Sequence, residues 1–312
     1  MPEAFRRRRA LLAAEELEKG EAVTKALCIL RGRFGRIALL DMDTSLVGHA
    51  HPHCHLIFKV AGIDQQFIIE DKAAPLRHDT VVAVNAWQQH AYLHRQSAES
   101  TLFLALYIEP DWLVQADRRF RYCARPDFFP HACVPIGAEI KPLRARLVER
   151  MAEGPAGRPE ELQQIILDLC LMLSGGLSEW RVGHGALSRA PRDFRIARAL
   201  RYMRGSAAGP LDLDDVARVA GLSRPHFNYL FRTGIGLSPR LYFNALRIEA
   251  AVGRLHQQHE GIGAISDALG FSAQSNFTRF FQQHTGTSPH QFRRVMADLG
   301  LEAENFMNSD RS

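Results

Sequence analysis

The sequence predicts an α+β protein, and three observations support this fold class. Between residues 36 and 109, short runs of β-branched and apolar residues alternate with turn-forming residues, as in a small β-barrel or sandwich. After Pro110 the apolar residues recur at helical spacing. From Asp193 onward, two similar helical stretches are punctuated by glycine. We therefore expect a β-rich amino-terminal domain and an all-helical carboxy-terminal domain.

The changes of pattern predict the domain boundaries. They give an arm at 1–35, a barrel at 36–110, a helical dimerisation or packing region at 111–180, a linker at 181–192, a helical domain at 193–297 and a tail at 298–312. The first 30 or so residues suggest a helix followed by a loop, and they include the basic run Arg6–Arg9. The second helix of the packing region has an apolar stripe along 162–173, which either packs on the barrel or forms a dimer interface.

Composition narrows the class of protein. The chain has 312 residues, of which 46% are hydrophobic and 23% charged, as in ordinary globular proteins. Its apolar runs are shorter than the roughly 18 residues of a membrane span, and the early "ALLAA" is too short for a secretory signal. These short apolar runs predict no membrane partner. The five cysteines form no C-x-x-C pair, so we predict reduced thiols in the cytoplasm.

Positive charge is concentrated in the last third of the chain. The net charge is +5, and the segment from Asp193 to Ala297 contains thirteen arginines, no lysine and seven acidic residues. A local excess of arginine is typical of a phosphate-binding module, although a solvated basic surface gives the same composition.

The last third contains an internal repeat. The stretch "AGLSRPHFNYLFRTGIGLSPRLYF" (Ala220–Phe243) is similar to "LGFSAQSNFTRFFQQHTGTSPHQFR" (Leu269–Arg293). In each copy a short helix stops at a glycine, Gly221 or Gly270, and a serine, Ser223 or Ser272, is placed to cap a second helix. The second helices have matching inward-facing residues: Phe227, Leu230 and Phe231 in the first copy, and Phe277, Phe280 and Phe281 in the second.

A short helix, a glycine turn and a second helix with a polar face form the helix-turn-helix pattern. About 20 residues join the two copies, and as a helix they span roughly 30 Å. Consecutive major grooves on one face of B-DNA lie about 34 Å apart. The repeat therefore predicts binding to double-stranded DNA, and an α-helical repeat for protein contacts is the alternative.

These segments resemble the AraC/XylS family of bacterial transcription regulators. The resemblance is carried by "LDLDDVARVAGLSRPHFNYLFRTGIGLSPRLYFNALRIEAA" and "AISDALGFSAQSNFTRFFQQHTGTSPHQFRR", within roughly the last hundred residues. It implies a seven-helix DNA-binding domain, RNA polymerase as a partner, a homodimer, and a role that leans toward activation.

The resemblance also implies which residues contact DNA. The implied base-contacting positions are Pro225, Asn228 and Tyr229 in the first copy and Gln274, Ser275, Asn276 and Arg279 in the second. Arg224, Arg232 and Arg240 are expected to hold phosphates. A good bidentate pair, such as Arg279 with guanine, gives about 1–3 kcal/mol of discrimination. Pro225 and Tyr229 depart from the family pattern, because their side chains offer few hydrogen bonds to base edges. They favour apolar contact with thymine methyl groups instead.

The motif "HAHPHCH" places histidines at 49, 51, 53 and 55, on one face of any extended strand. In many members of the family the amino-terminal domain resembles a cupin, a small barrel that binds an effector. We expect a small-molecule pocket lined by His51, His53, His55, Trp87 and His90. Enzymatic cupins hold a metal on histidines of this kind, which makes His49, His51, His55 and His90 the candidate ligands. No glutamate stands in the ligand position that is usual for a cupin metal site. A third alternative is that the histidines bind nothing and lie on a polar outer face of the barrel.

The leading hypothesis is a DNA-binding transcription regulator that responds to a small molecule, without a cofactor. The alternative is a metal-dependent cupin enzyme, or a metal sensor, fused to a DNA-binding tail. The sequence contains no recognisable serine-histidine-acid arrangement and no glycine-rich phosphate loop. We therefore predict no catalysis.

Overall fold

The computed structural model describes residues 25–95, 99–153, 159–174, 193–206, 209, 211–257 and 259–299. The run Arg6–Arg9, the predicted linker 181–192 and residues 300–312 of the predicted tail lie outside these ranges. Among the helices of the described ranges, none combines the length and apolar character that a membrane crossing requires.

Two β-sheets form the amino-terminal part. Their strands are β1 Lys25–Gly32, β2 Gly35–Met42, β3 Cys54–Gly62, β4 Gln65–Ile69, β5 Lys72–Leu76, β6 Thr80–Val84, β7 His90–Leu93, β8 Thr101–Ile108, β9 Cys133–Pro135 and β10 Met296–Asp298. The larger sheet has the order β10-β1-β2-β8-β3-β6-β9, and the smaller has the order β5-β4-β7. All pairs of neighbours are antiparallel except β1 and β10. The strands predicted between residues 36 and 109 are confirmed as β2, β3, β4, β6 and β8.

Strand β3 shows how the two faces of the large sheet are used. Leu56 and Phe58 are fully buried in a core cluster shared with neighbouring helices. Ile57 points to the other face and belongs to a second cluster with Phe67 and Tyr92 of the smaller sheet. The space between the sheets is therefore filled with side chains.

The sequence missed the two strands at one edge of the large sheet. Residues 25–32 were expected to lie in a helical and loop-like arm, and this was wrong, because they form β1. Ala26 to Leu30 are all buried, so the strand lacks the polar alternation that marks a half-exposed strand. The chain after Asp193 was expected to be helical throughout, but β10 adds a parallel strand to β1, with Met296 opposite Ile29.

Three helices follow the barrel: α1 Pro110–Ala116, α2 Ile140–Glu153 and α3 Pro159–Leu173. The predicted apolar stripe of α3 is buried against the barrel. The buried residues of this helix are Leu162, Ile165, Ile166, Leu169, Cys170 and Leu173. They belong to the same buried cluster as Leu56 of β3. Within the chain, the stripe therefore packs on the barrel. Met172, also expected in the stripe, is 41% exposed.

The described residues from 193 to 299 contain seven helices. They are α4 Phe194–Gly205, α5 Leu213–Ala220, α6 Arg224–Ile235, α7 Pro239–His256, α8 Ile262–Ala268, α9 Gln274–Thr285 and α10 Pro289–Val295. The pairs α5–α6 and α8–α9 are the two helix-turn-helix units, and α7 joins them. With 18 residues, α7 is about 27 Å long.

The local stop and start signals are mostly those expected. Gly221 ends α5 in the left-handed conformation (φ 70°), as predicted. Ser223 occupies the N-cap of α6, although its side chain makes no capping hydrogen bond. The cap predicted at Ser272 was wrong: Ala273 is the N-cap of α9, because the second copy carries one extra residue before its helix.

The two domains share a core. Ile248 of α7 and Phe281 of α9 lie in the same buried cluster as Ile57 and Phe103 of the barrel. The helical domain therefore packs directly on the barrel, and the predicted α+β class is confirmed.

Candidate DNA-binding surface and histidine cluster

Helix α6, the first reading helix, has one buried and one exposed face. Phe227 and Phe231 are fully buried. The residues predicted to contact DNA are turned outward: Arg224, Pro225, Tyr229 and Arg232 are exposed, and Asn228 is half-buried. The Tyr229 side chain is 65% exposed, so its ring is available for the predicted apolar contacts.

Helix α9, the second reading helix, repeats this arrangement. Phe277 and Phe281 are fully buried. On the other face Gln274, Ser275 and Arg279 are exposed, and Asn276 is half-buried. Nη2 of Arg279 donates to Oδ1 of Asn276 at 3.1 Å, and Nδ2 of Asn276 donates to Oγ of Ser272 at 2.9 Å. Two of the predicted base readers are thus held side by side.

The predicted phosphate-binding arginines are also on the surface. Arg224 pairs with Asp214 at 2.6 Å, and both side chains are at least half exposed. A pair of that exposure contributes about 0–1 kcal/mol, so a phosphate can replace it. Arg232 and Arg240 are exposed as well. Contact of these residues with DNA stays a prediction.

The histidines of the motif and His90 converge on one buried site. His49 precedes β3 and is bridged to His90 by two backbone hydrogen bonds of 2.9 and 2.8 Å. His51 is central: its ring centroid lies 4.9 Å from those of both His55 and His90. One nitrogen from each of His49, His51 and His90 lies within 4.8 Å of the other two.

The structure decides which way these side chains face. His49, His51, His55 and His90 are each at most 8% exposed, so the alternative of a polar outer face is wrong. The four histidines of the motif do not lie on one continuous strand, because the chain bends at Pro52 and β3 begins at Cys54. Proline has no N–H to donate to a ladder.

Backbone carbonyls fix the orientation of three of the rings. The Nδ1 atoms bond to carbonyl oxygens as follows: His49 to Val47 at 2.8 Å, His90 to Gln88 at 2.9 Å and His55 to Leu106 at 3.0 Å. Because a carbonyl oxygen only accepts, each Nδ1 carries the proton and each Nε2 keeps its lone pair.

These imidazoles are neutral. Burial lowers the pKa of His49, His51 and His55 well below the usual value, and the neighbouring histidines lower it further. Burial and the proximity of His55 lower the pKa of His90 to about 3. Neutral imidazole is the form that binds metal ions.

His53, predicted to line the same pocket, lies at the side of the cluster, with its ring centroid 5.4 Å from that of His51, and contacts two carboxylates. Its Nε2 lies 2.9 Å from Oε1 of Glu109, and its Nδ1 lies 3.7 Å from Oε1 of Glu249. Glu249, on α7, receives two hydrogen bonds from the Arg36 guanidinium, at 3.0 and 3.1 Å. Arg36 also lies 4.1 Å above the ring of Tyr107. Burial, the largest single effect, raises the pKa of Glu249, but the charge and hydrogen bonds of Arg36, together with the proximity of His53, lower the pKa overall.

Trp87 lies at the interface between the domains. Its ring stacks on Tyr242 of α7, with centroids 4.7 Å apart and planes at 24°. Its backbone N–H donates to the carbonyl of His51 at 2.8 Å, so it touches the histidine segment through its main chain.

A small cavity separates the histidines from the helical domain. It measures about 20 Å³, room for roughly one water molecule. Its lining comes from both domains: Arg36, His49, Ala50, His51 and Tyr107 on the barrel side, and Ala245, Ile248, Glu249, His284 and Thr285 on the helical side. The sequence did not suggest Arg36, Glu249 or His284, because no local signal links residues so far apart.

Comparison with known proteins identifies the helical domain. Residues 216–295 match the family model described as a helix-turn-helix domain. An HTH-type transcriptional regulator of Mycobacterium tuberculosis is 33% identical over 94 residues, which are 30% of this chain and 36% of that protein. The multiple antibiotic resistance protein MarA of Salmonella typhimurium is 26% identical over 108 residues, which are 34% of this chain and 85% of MarA. The chain therefore spans little more than a third of the M. tuberculosis regulator.

A structural similarity extends over both domains. The crystal structure of wild-type ToxT from Vibrio cholerae, bound to an unsaturated fatty acid, has a TM-score of 0.53 and covers 83% of this chain and 94% of its own. At 12% identity, this similarity establishes the overall fold. Residues 216–295 thus resemble the AraC-type helix-turn-helix domains, in agreement with the family resemblance that the sequence carries.

Proposed function

We propose that the protein is a sequence-specific DNA-binding transcription regulator whose barrel responds to an effector. The observation that carries the proposal is the duplicated reading helix: α6 and α9 each bury two phenylalanines and turn polar residues outward. The M. tuberculosis relative, named as a transcriptional regulator, supports it. The length of α7, about 27 Å, suits reading helices placed in successive grooves about 34 Å apart.

In this function the exposed residues of the helical domain have two roles, which are to read bases and to hold phosphates. Arg279 donates to guanine, and the neighbouring Gln274 and Asn276 have the amides that pair with adenine. Arg232 and Arg240 hold phosphates and fix the register. Tyr229 makes apolar contact with thymine methyl groups.

The effector binds where the barrel meets the helical domain. The similar ToxT structure contains an unsaturated fatty acid, which supports a ligand-responsive role for this fold. The space between the two sheets is filled by side chains such as Phe67, Tyr92 and Phe103. The histidine-lined cavity contacts both domains and is the better-placed site. A homodimer that works with RNA polymerase in the cytoplasm is part of this proposal, and five free thiols suit that compartment.

A metal-dependent enzyme is the second candidate, and the histidine cluster is what favours it. A catalytic metal site needs space for a substrate beside the metal. The cavity next to these histidines has room for about one water molecule, and α7 residues such as Ala245 and Ile248 form part of its wall. We therefore assign no catalytic step to the chain.

Binding of the full chain to a duplex carrying its own upstream region tests the proposal. If six to ten phosphates are contacted, affinity falls by roughly 10³–10⁵ between 50 and 200 mM salt. Arg279→Ala is expected to weaken cognate binding by about 1–3 kcal/mol and scrambled-duplex binding much less. Arg118→Ala, which removes an exposed arginine outside the helical DNA-binding domain, is the matched control. A folded protein that binds no duplex at low salt overturns the proposal.

A further inference from the structure

The histidine cluster contains buried nitrogens with no hydrogen-bond partner. Both ring nitrogens of His51 and Nε2 of His90 are inaccessible to solvent and unpaired among the described residues. Leaving a buried polar atom unsatisfied costs about 1–3 kcal/mol, so such atoms call for an explanation. These atoms belong to His51 and His90, which form one group with His49.

The arrangement of protons suits a cation. In His49 and His90 the Nδ1–H donates to a backbone carbonyl, at 2.8 and 2.9 Å, which directs the Nε2 lone pair elsewhere. Metal-binding histidines have this pattern, because the carbonyl fixes the tautomer and the direction of the ring. The rings of His49 and His90 lie close, with centroids 4.3 Å apart, and one nitrogen of each lies within 4.8 Å of one nitrogen of His51.

We propose that His49, His51 and His90 bind one divalent transition-metal ion, and that this ion is the effector of the regulator. Imidazole nitrogens select zinc, copper, nickel and iron over magnesium and calcium. The adjacent cavity, with room for about one water, leaves a solvent ligand to complete the coordination. A site built on three neutral imidazoles without a carboxylate keeps the full positive charge of the ion.

The second half of the proposal rests on the proposed function, and the position of the site supports it. His49 and His51 share their cavity with Glu249 of α7 and His284 of α9. Close by, the N–H of Val47 donates to the carbonyl of Gln283 in the second reading helix, at 3.2 Å. Drawing His49 toward a metal therefore shifts a segment that is hydrogen-bonded to α9.

Titration of the metal-free full-length protein with Zn²⁺ and with Ni²⁺ tests the site, by calorimetry and by mass spectrometry under non-denaturing conditions. One equivalent is expected to bind. Co²⁺ gives an independent optical readout, with visible absorption bands of a nitrogen-ligated ion. Absence of stoichiometric binding by the wild-type protein overturns the proposed metal site. This test does not depend on the folding of any variant, because it uses only the wild-type protein.

The double variant His51→Ala/His90→Ala is expected to lose this binding. Metal affinity should fall by more than the roughly 10–100-fold that is typical when a residue that only orients a metal-binding side chain is removed. His131→Ala/His259→Ala removes two exposed histidines and is expected to bind as the wild type does. Equal binding by both variants overturns the site. If the first variant fails to fold, His90→Gln, with the cobalt spectrum as readout, replaces it.

The effector half has its own measurement. Affinity for the upstream duplex is measured for metal-free and metal-loaded protein, and a change of roughly 5–150-fold is expected. By linkage, DNA must change metal affinity by the same factor. Metal binding with no effect on DNA affinity overturns the effector role alone. A protein that binds metal but no duplex under either condition overturns the proposed function, and the metal site stands.

Discussion

The ion pair between Arg36 and Glu249 is the perturbation that bears most directly on how the domains are joined. It links β2 of the barrel to α7, the helix between the two reading units. The Arg36 side chain is 10% exposed and that of Glu249 is 24% exposed, and the two bonds between them are well formed. Glu249→Ala leaves the guanidinium buried, above Tyr107 but without its carboxylate.

The expected magnitude follows from that burial. Removing one partner of a fully buried pair costs about 3–5 kcal/mol, and the residual exposure of Glu249 places this case near 3 kcal/mol. At 1.36 kcal/mol per factor of ten, docking of the two domains weakens by roughly 100-fold. The double variant Arg36→Met/Glu249→Leu removes both charges and should recover most of that loss, because replacing a buried pair by apolar residues is often close to neutral.

Amide hydrogen exchange is the most direct assay. The N–H of Val47 donates across the interface to Gln283, so its exchange reports undocking. Exchange at this amide should accelerate by roughly 100-fold in Glu249→Ala and stay near the wild-type rate in the double variant. Glu260→Ala breaks an ion pair with Arg254 within the helical domain and is the control, with little effect at Val47.

The pair also predicts a pH dependence. The pKa of Glu249 is lowered in the folded protein, so near its ordinary value of 4.5 the unfolded chain binds more protons than the folded one. Stability from this group is therefore complete above about pH 5 and is lost as the pH falls through the lowered pKa. Comparing the wild type with the charge-free double variant cancels the contribution of groups that both share. Unchanged exchange at Val47 in Glu249→Ala, or exchange in the double variant as fast as in Glu249→Ala, would refute this reasoning.

Three further changes test other parts of the fold by urea denaturation. Gly221→Ala should cost about 1–2 kcal/mol because φ there is 70°, whereas Gly205→Ala, with open space around its added carbon, should be neutral or slightly stabilising. Phe277→Ala should cost about 3–5 kcal/mol, since the ring is fully buried under the second reading helix, and DNA binding measured by anisotropy should be lost with it. Trp87→Ala and Tyr242→Ala should show a coupling of about 0.5–1.5 kcal/mol in a double-mutant cycle, from the stacked rings; a coupling near zero would contradict a role in the interface.

The helix-turn-helix units were predictable because their signals are local. A left-handed glycine such as Gly221 and phenylalanines at helical spacing are determined by neighbours a few residues away. The error at Ser272 is of the same local kind, since one inserted residue moves the start of a helix. The repeat also gave the outward positions of Tyr229 and Arg279, because they lie opposite the buried faces.

The interface was not predictable, because its partners are distant in the chain. Arg36 and Glu249 are separated by 213 residues, and neither stands in a motif. Strand β10 has only three residues and forms by pairing with β1, near the opposite end of the described chain. Likewise, Trp87 was expected to line the ligand pocket, and no neighbouring residue in the sequence indicated its contact with Tyr242.

The size of the cavity limits how any effector can act on this interface. Binding shifts an equilibrium only through a difference in affinity between two states. A ligand confined to a cavity with room for about one water molecule is too small to separate the barrel from α7 as a wedge. It can act only by ordering the side chains around it, and His49 and His51 belong to the segment whose backbone is bonded to Gln283 and Trp87. A metal ion suits this constraint, because its ligand bonds fix several rings at once in very little volume.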